Sequence, residues 1–225
     1  MPTPALRQRA LLRATVFGAA VSLPVLVLAY LVRAEAPGLT RLDGETIVAA
    51  TSFTREHPEL LHALDVWQEM LRPIWVNLAV GLVCLRVWRR YGLPTRALWA
   101  FLTVLVAWAL QVGAKGLVQR ARPVVQDALE HAPGSSFPSG HAANTAAAAL
   151  ATTLLVWPLL GPRGRVAVPV VAGAITLITA ADRVFLGVHH PSDVVAGVLL
   201  GAAIVGASWI GYQGWSPRLS TEGTS

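Results

Sequence analysis

The chain has 225 residues, 54% of them hydrophobic and only 13% charged, with a mean hydropathy of +0.55. Soluble domains carry about 25% charged residues, so the composition excludes an ordinary soluble domain and points to an integral membrane protein. The net charge of +6 does not describe a nucleic-acid face, because the basic residues lie between apolar runs and are not clustered with aromatics.

The first apolar run, 14–32, follows Arg7, Arg9 and Arg13 and is long enough to span a bilayer. A secretory signal peptide is the rival reading, since Ala34-Glu35-Ala36 resembles a cleavage site. The run exceeds the usual apolar length of such signals, about 7–15 residues, which favours a retained helix. Residues 33–72 form a polar connection rich in acids, among them Glu35, Asp43, Glu45 and Asp65. Within it Leu60, Leu61, Leu64, Trp67, Met70 and Leu71 recur at helical spacing, which predicts an amphipathic surface helix. Its expected role is packing onto the bundle, with a lid or substrate guide as the alternative.

Further apolar runs follow at 73–88, 97–114, 142–160, 166–181 and 194–212. Cys84 reads as a small buried residue. The run beginning at Ala142 is built from small residues, which let helices approach closely. Gly197 and Gly201 offer the same device on one face of the last run, for dimerisation or for packing within the bundle. The tail, 213–225, is polar and expected to be flexible. The expectation is an all-α membrane bundle of six transmembrane helices in one domain, 1–225.

Six spans put both termini on one side. The N-terminal arm, the turns at 86–96 and 163–165, and the tail there hold ten arginines, among them Arg7, Arg9, Arg13, Arg89, Arg90 and Arg218. By the positive-inside rule that side is cytoplasmic. The expected location is the inner (plasma) membrane, multi-pass, with both termini cytoplasmic. All six histidines and all acids but Glu222 fall on the other face.

Three clusters meet on that extracytoplasmic face. The first runs from Lys115 to Arg122-Pro123, and Lys115 is the one lysine among 18 basic residues. Lysine offers a point charge and arginine a planar fork that matches two phosphate oxygens. Contact with lipid headgroups at helix ends is the alternative role. The second is Pro138-Ser139-Gly140-His141 at a helix start, where free backbone N–H groups and the helix dipole favour an anion. Gly140 lets the backbone approach a ligand. Ser139 caps the helix or offers its hydroxyl to phosphate. The third runs from Asp182-Arg183 to His189-His190-Pro191-Ser192-Asp193. His189 and Asp193 share a helical face. A carboxylate on one imidazole nitrogen leaves the other free to attack.

In order and spacing these clusters resemble the signature of the type 2 phosphatidic acid phosphatase superfamily: K-x6-R-P, then P-S-G-H, then S-R-x5-H-x3-D. The matching residues are Lys115, Arg122 and Pro123; Pro138, Ser139, Gly140 and His141; and Arg183, His189 and Asp193. The resemblance covers about 97–212. It implies that His189 is the nucleophile and forms a phosphohistidine. Asp193 orients His189, and His141 protonates the leaving oxygen and then activates water. Lys115, Arg122, Ser139, Gly140 and Arg183 bind phosphate. It implies no metal and no cofactor. His189, not His190, has the required spacing; His190 lines the site or is exposed. Asp182 departs from the family's usual serine, and either pairs with Arg183 and holds its fork or repels phosphate.

The expected function is hydrolysis of a membrane lipid phosphate or diphosphate at the extracytoplasmic face. Candidate substrates are undecaprenyl diphosphate, phosphatidylglycerophosphate and phosphatidate. Transfer of the phosphoryl group to another lipid acceptor uses the same site. A non-catalytic lipid-binding or transport protein is the alternative from another class, disfavoured because the ionisable residues gather at the loops. Vanadate haloperoxidases share the signature but are soluble, and six spans disfavour them.

Overall fold

The computed structural model describes residues 4–124, 129–130 and 133–215. Among these the elements are helical: α1 (Pro4–Arg33), α2 (Pro37–Glu56), α3 (Pro58–Met70), α4 (Pro73–Tyr91), α5 (Pro94–Val118), α6 (Gly140–Val156), α7 (Pro162–Phe185) and α8 (Pro191–Trp215), with a short 3₁₀ turn at Trp157–Leu159. Proline opens every α-helix except α6. Its fixed φ suits the first turn, and the N–H it lacks would have had no intrahelical partner there. The expected flexible tail beyond Trp215 lies outside the described residues.

α6 is the central helix and packs against α4, α5, α7 and α8. Its small side chains make this possible: Ala142, Ala143, Ala147 and Ala151 are all buried. The glycines of α8 complete the fit. A Cβ on Gly197 would stand 2.6 Å from the Ser139 carbonyl oxygen, and one on Gly201 would collide with that of Ala143. The Gly197–Gly201 spacing therefore serves close packing of α8 on α6. α1 lies along α8. Away from the site the bundle is tied by Trp99 Nε1 donating to Ser208 Oγ at 2.8 Å, and by Arg96 donating to the Leu154 carbonyl at 2.7 Å.

Five helices, α1 and α5 to α8, are long and apolar enough to cross a membrane. α4 reaches that standard only together with α3, from which it is bent by 53°. Arg86, Arg89 and Arg90 in its last turns account for this. Among the described residues the count is thus five spans, or six with the bent pair. The polar connection holds two helices where sequence periodicity showed one. α2 buries Asp43, Ile47, Ala50, Thr51 and Thr54, a face too rich in polar residues to read as apolar. On α3, Leu60, Leu61 and Leu64 pack against Phe185, Leu186 and Val188, while Met70 is exposed. Helix ends also shift: α5 continues through Lys115, and α7 continues through Asp182 and Arg183.

Candidate active site

Three chain segments build the site, and each is set by local backbone chemistry. α7 ends in a tight turn: Gly187, at φ 75°, donates to the Val184 carbonyl, and Val188 and His189 both donate to that of Arg183. This left-handed turn, natural for glycine, folds His189 back toward the start of α8. At that start the Asp193 carboxylate accepts the His190 N–H at 2.9 Å, the reach-back half of a capping box. The second segment, before α6, carries Phe137, which is buried, and Ser139, whose N–H donates to the Asp193 carbonyl at 2.9 Å. The third runs on from α5 and is pinned by Ser136, which donates to the carbonyls of Arg120 and Ala121.

His189 sits between charges of opposite sign. Its Nδ1 lies 3.7 Å from Asp193 Oδ2, and its Nε2 lies 3.4 Å from Arg122 Nη1. Burial pulls the imidazole down to about 4, against the nearby charge of Asp193; Arg122 and Lys115 add to the lowering. His189 is therefore neutral near pH 7, with a lone pair available at one ring nitrogen. Asp193 on the Nδ1 side favours the proton there, which leaves Nε2 facing Arg122.

The cations are already engaged. Arg122 donates to the carbonyls of Pro133, Gly134 and Val188, which fixes the edge that faces His189. Burial lowers its pKa, with Asp193 and Glu130 opposing; the guanidinium stays charged. Lys115 Nζ donates to the Ser135 carbonyl at 2.6 Å. Arg183 is bonded to Asp182 through Nε, at 2.7 Å, and through Nη2, which also donates to Gln68 Oε1 at 2.8 Å. Of the two roles open to Asp182, the structure shows pairing.

His141, in the first turn of α6, lies within electrostatic reach of Arg183 and His189 and hydrogen-bonds with the backbone of Gln68. Its Nε2 is buried and has no hydrogen-bond partner among the described residues. The same holds for Ser139 Oγ, which makes no cap bond although Ser139 occupies the N-cap position. A hydroxyl and an imidazole nitrogen so placed are free to meet a phosphate oxygen. At Gly140 the absent Cβ also spares Gln111, whose Oε1 would stand 3.1 Å away. His190 is largely buried and its Nδ1 lies 3.4 Å from Asp193 Oδ2, so both adjacent histidines face one carboxylate. The other seven residues read from the sequence thus gather around His189. Sequence reasoning missed Gln68, which spans His141 and Arg183, as well as Arg120 and Asp43. Arg120 bonds Asp193 at 2.6 Å and Asp43 at 2.8 Å. Arg120 lies inside the Lys115–Arg122 motif, which is a signal; Asp43 lies among other loop acids and has none.

Known proteins share both fold and sequence. Decaprenylphosphoryl-5-phosphoribose phosphatase of Mycobacterium tuberculosis is 37% identical over 134 residues, covering 58% of this chain and 67% of that protein. Phosphatidylglycerophosphatase B of Bacillus subtilis is 37% identical over 90 residues, 39% of this chain and 43% of its own length. Lipid A 1-phosphatase of Rhizobium johnstonii is 43% identical over 72 residues, 32% of this chain and 26% of that one. The crystal structure of a transmembrane PAP2 type phosphatidylglycerolphosphate phosphatase from Bacillus subtilis superimposes with a TM-score of 0.80 at 22% identity, covering 90% of this chain and 98% of that one. Residues 96–216, more than half of the chain and the whole of the described site except α2 and α3, match the PAP2 superfamily, and the protein belongs to it.

Proposed function

We propose that this membrane phosphatase hydrolyses a lipid phosphate or diphosphate at the extracytoplasmic face, through a phosphohistidine on His189. The observation that carries the reading is the placement of His189 between Asp193 and Arg122. The neutral imidazole attacks phosphorus through Nε2, and the bond to the lipid oxygen breaks. Asp193 holds the proton on Nδ1 and compensates the positive ring. Arg122, Lys115 and the Nη1 edge of Arg183, which also faces Glu130 at 3.8 Å, take up charge on the phosphoryl oxygens, with the Ser139 hydroxyl and the Gly140 N–H. His141, in its protonated form, gives a proton from Nε2 to the leaving oxygen and, then neutral, takes one from the attacking water. Water at phosphorus regenerates His189 and releases phosphate.

An apolar groove supports a lipid substrate. It has a volume of about 520 Å³ between α4, α6 and α7, lined by residues such as Val80, Thr145, Ala148, Thr152, Val168 and Ala172. Thr145 lies one helical turn from His141, so a hydrocarbon tail in the groove would bring its head group to the site. The relatives named above act, by their names, on phosphates borne by decaprenyl, glycerophospholipid and lipid A carriers. This favours undecaprenyl, phosphatidylglycerophosphate and phosphatidate substrates as the class to test.

The test is phosphate release by purified protein from these lipids, each with and without EDTA, beside His189→Ala. The reading expects release from at least one lipid, no effect of EDTA, and no release by the variant. Release by His189→Ala near the wild-type rate would overturn it.

A further inference from the structure

Asp43 lies outside every cluster read from the sequence, yet it is bonded into the site. It projects from α2 and is 1% exposed. Three donors reach it: Arg120 Nη2 at 2.8 Å, the Ser192 N–H at 3.0 Å and the Ser192 hydroxyl at 2.5 Å. Arg120 in turn donates through Nη1 to Asp193 Oδ1 at 2.6 Å and to Ser192 Oγ at 2.7 Å. One guanidinium bridges two buried carboxylates from distant parts of the chain.

The geometry fixes Asp193 at both ends. Oδ1 is held by Arg120, and Oδ2 accepts the His190 N–H while facing His189 Nδ1. The carboxylate cannot rotate without losing one of these bonds, so Oδ2 stays facing the His189 imidazole, 3.7 Å away, and that of His190, 3.4 Å away. The charges matter equally. Arg120 alone would cancel the charge of Asp193 and leave a neutral pair beside His189. With Asp43 the trio carries one net negative charge. That charge favours a proton on Nδ1 and stabilises the ring when it turns positive, and in a buried site it acts at lower dielectric than in water.

We propose that Asp43 and Arg120 are positioning residues that clamp the His189–Asp193 pair. Arg120 sets the orientation of the carboxylate, and Asp43 restores the charge that Arg120 would otherwise cancel. A purely structural tie between α2 and α8 is already made by the two bonds from Ser192 to Asp43. It would not require a guanidinium directed onward to Asp193. The inference rests on His189 being the nucleophile, and it makes the connection between α1 and α4 part of the catalytic apparatus.

The test compares wild type with Asp43→Asn, Arg120→Lys, Arg120→Gln and His189→Ala, all purified, using dioctanoyl phosphatidate as the probe. Arg41→Gln is the control, since Arg41 is exposed on the same helix and its ion pair is with exposed Glu45. The readouts are kcat and KM, thermal unfolding, and the His189 tautomer by ¹⁵N-histidine NMR. Asp43→Asn should lower kcat about tenfold or more with little change in KM, and should move His189 from a dominant Nδ1–H form toward a mixture. Arg120→Lys should fall between wild type and Arg120→Gln, and Arg41→Gln should match wild type. If a variant fails to fold, the tautomer and kcat of Arg120→Lys decide. Wild-type kcat and tautomer in the folded Asp43→Asn and Arg120→Lys proteins, with His189→Ala inactive, would overturn the clamp. An active His189→Ala would instead overturn the nucleophile assignment on which the clamp depends.

Discussion

Asp182 and Arg183 are neighbours in the chain and partners in the site: one carboxylate oxygen, Oδ2, accepts from both Nε and Nη2 of the guanidinium. Both side chains are buried. The acid that sets this chain apart from the usual family pattern thus holds the arginine's fork and leaves Nη1 as the edge nearer Glu130, 3.8 Å away.

Removing that acid should cost stability. Asp182→Ala leaves a buried guanidinium with Gln68 as its close hydrogen-bond partner, and breaking a buried pair costs about 3–5 kcal/mol. Thermal unfolding in detergent should show a large fall for Asp182→Ala and a smaller one for Asp182→Ser, whose hydroxyl still accepts. An unchanged melting temperature for both would show that Arg183 does not depend on Asp182.

Ser139 separates two roles that the sequence left open. Its hydroxyl makes no cap bond, so Ser139→Ala should leave the melting temperature near wild type and lower kcat/KM about tenfold, one lost phosphate contact of roughly 1.4 kcal/mol. A cap role predicts the reverse, a stability loss of about 1 kcal/mol with unchanged kinetics.

The titration of His189 has a definite sign. The group is neutral when folded down to about pH 4, whereas its ordinary value is 6.5. The acid limb of kcat/KM should therefore lie near pH 4, well below 6.5. Stability follows the same linkage. Between about pH 6.5 and 4 the unfolded chain binds a proton at this position that the folded protein does not. His189 therefore contributes a loss of stability as pH falls through that window, complete below it and absent above 6.5. Denaturant unfolding at pH 7 and pH 5 checks the direction, and a kinetic limb at 6.5 would contradict the burial of the ring.

The α6–α8 contact should tolerate no added volume. Gly201→Ala places a methyl against the Ala143 carbonyl, and the backbone shift should cost about 1–3 kcal/mol. Because α6 carries His141 and the first turn of α8 carries Asp193, kcat should fall as well. Wild-type unfolding and kinetics would mean that the helices are less closely set.

The apolar runs were legible because a membrane helix announces itself by length and composition, and their prolines mark where most of them start. The phosphate-handling residues were legible because each cluster is local: Pro138–His141 is continuous, and Arg183, His189 and Asp193 fall within one turn and its flanks. The connection between α1 and α4 was legible only in part. α3 shows an apolar stripe, but α2 buries Asp43, Thr51 and Thr54, and polar residues that are buried through tertiary bonds leave no periodic signal. Asp43 is invisible for that reason, and half-buried Gln68 because its partner Arg183 is distant in sequence. The engagement of Arg122 by carbonyls was likewise unreadable, because spacing places a cation without saying what holds it.

The most direct test of the central claim is to trap the phosphoenzyme from a lipid labelled on its phosphate. The account predicts a label that is stable in alkali, released by acid, mapped to His189, and absent from His189→Ala. A label on another residue, or an active His189→Ala enzyme, would contradict it.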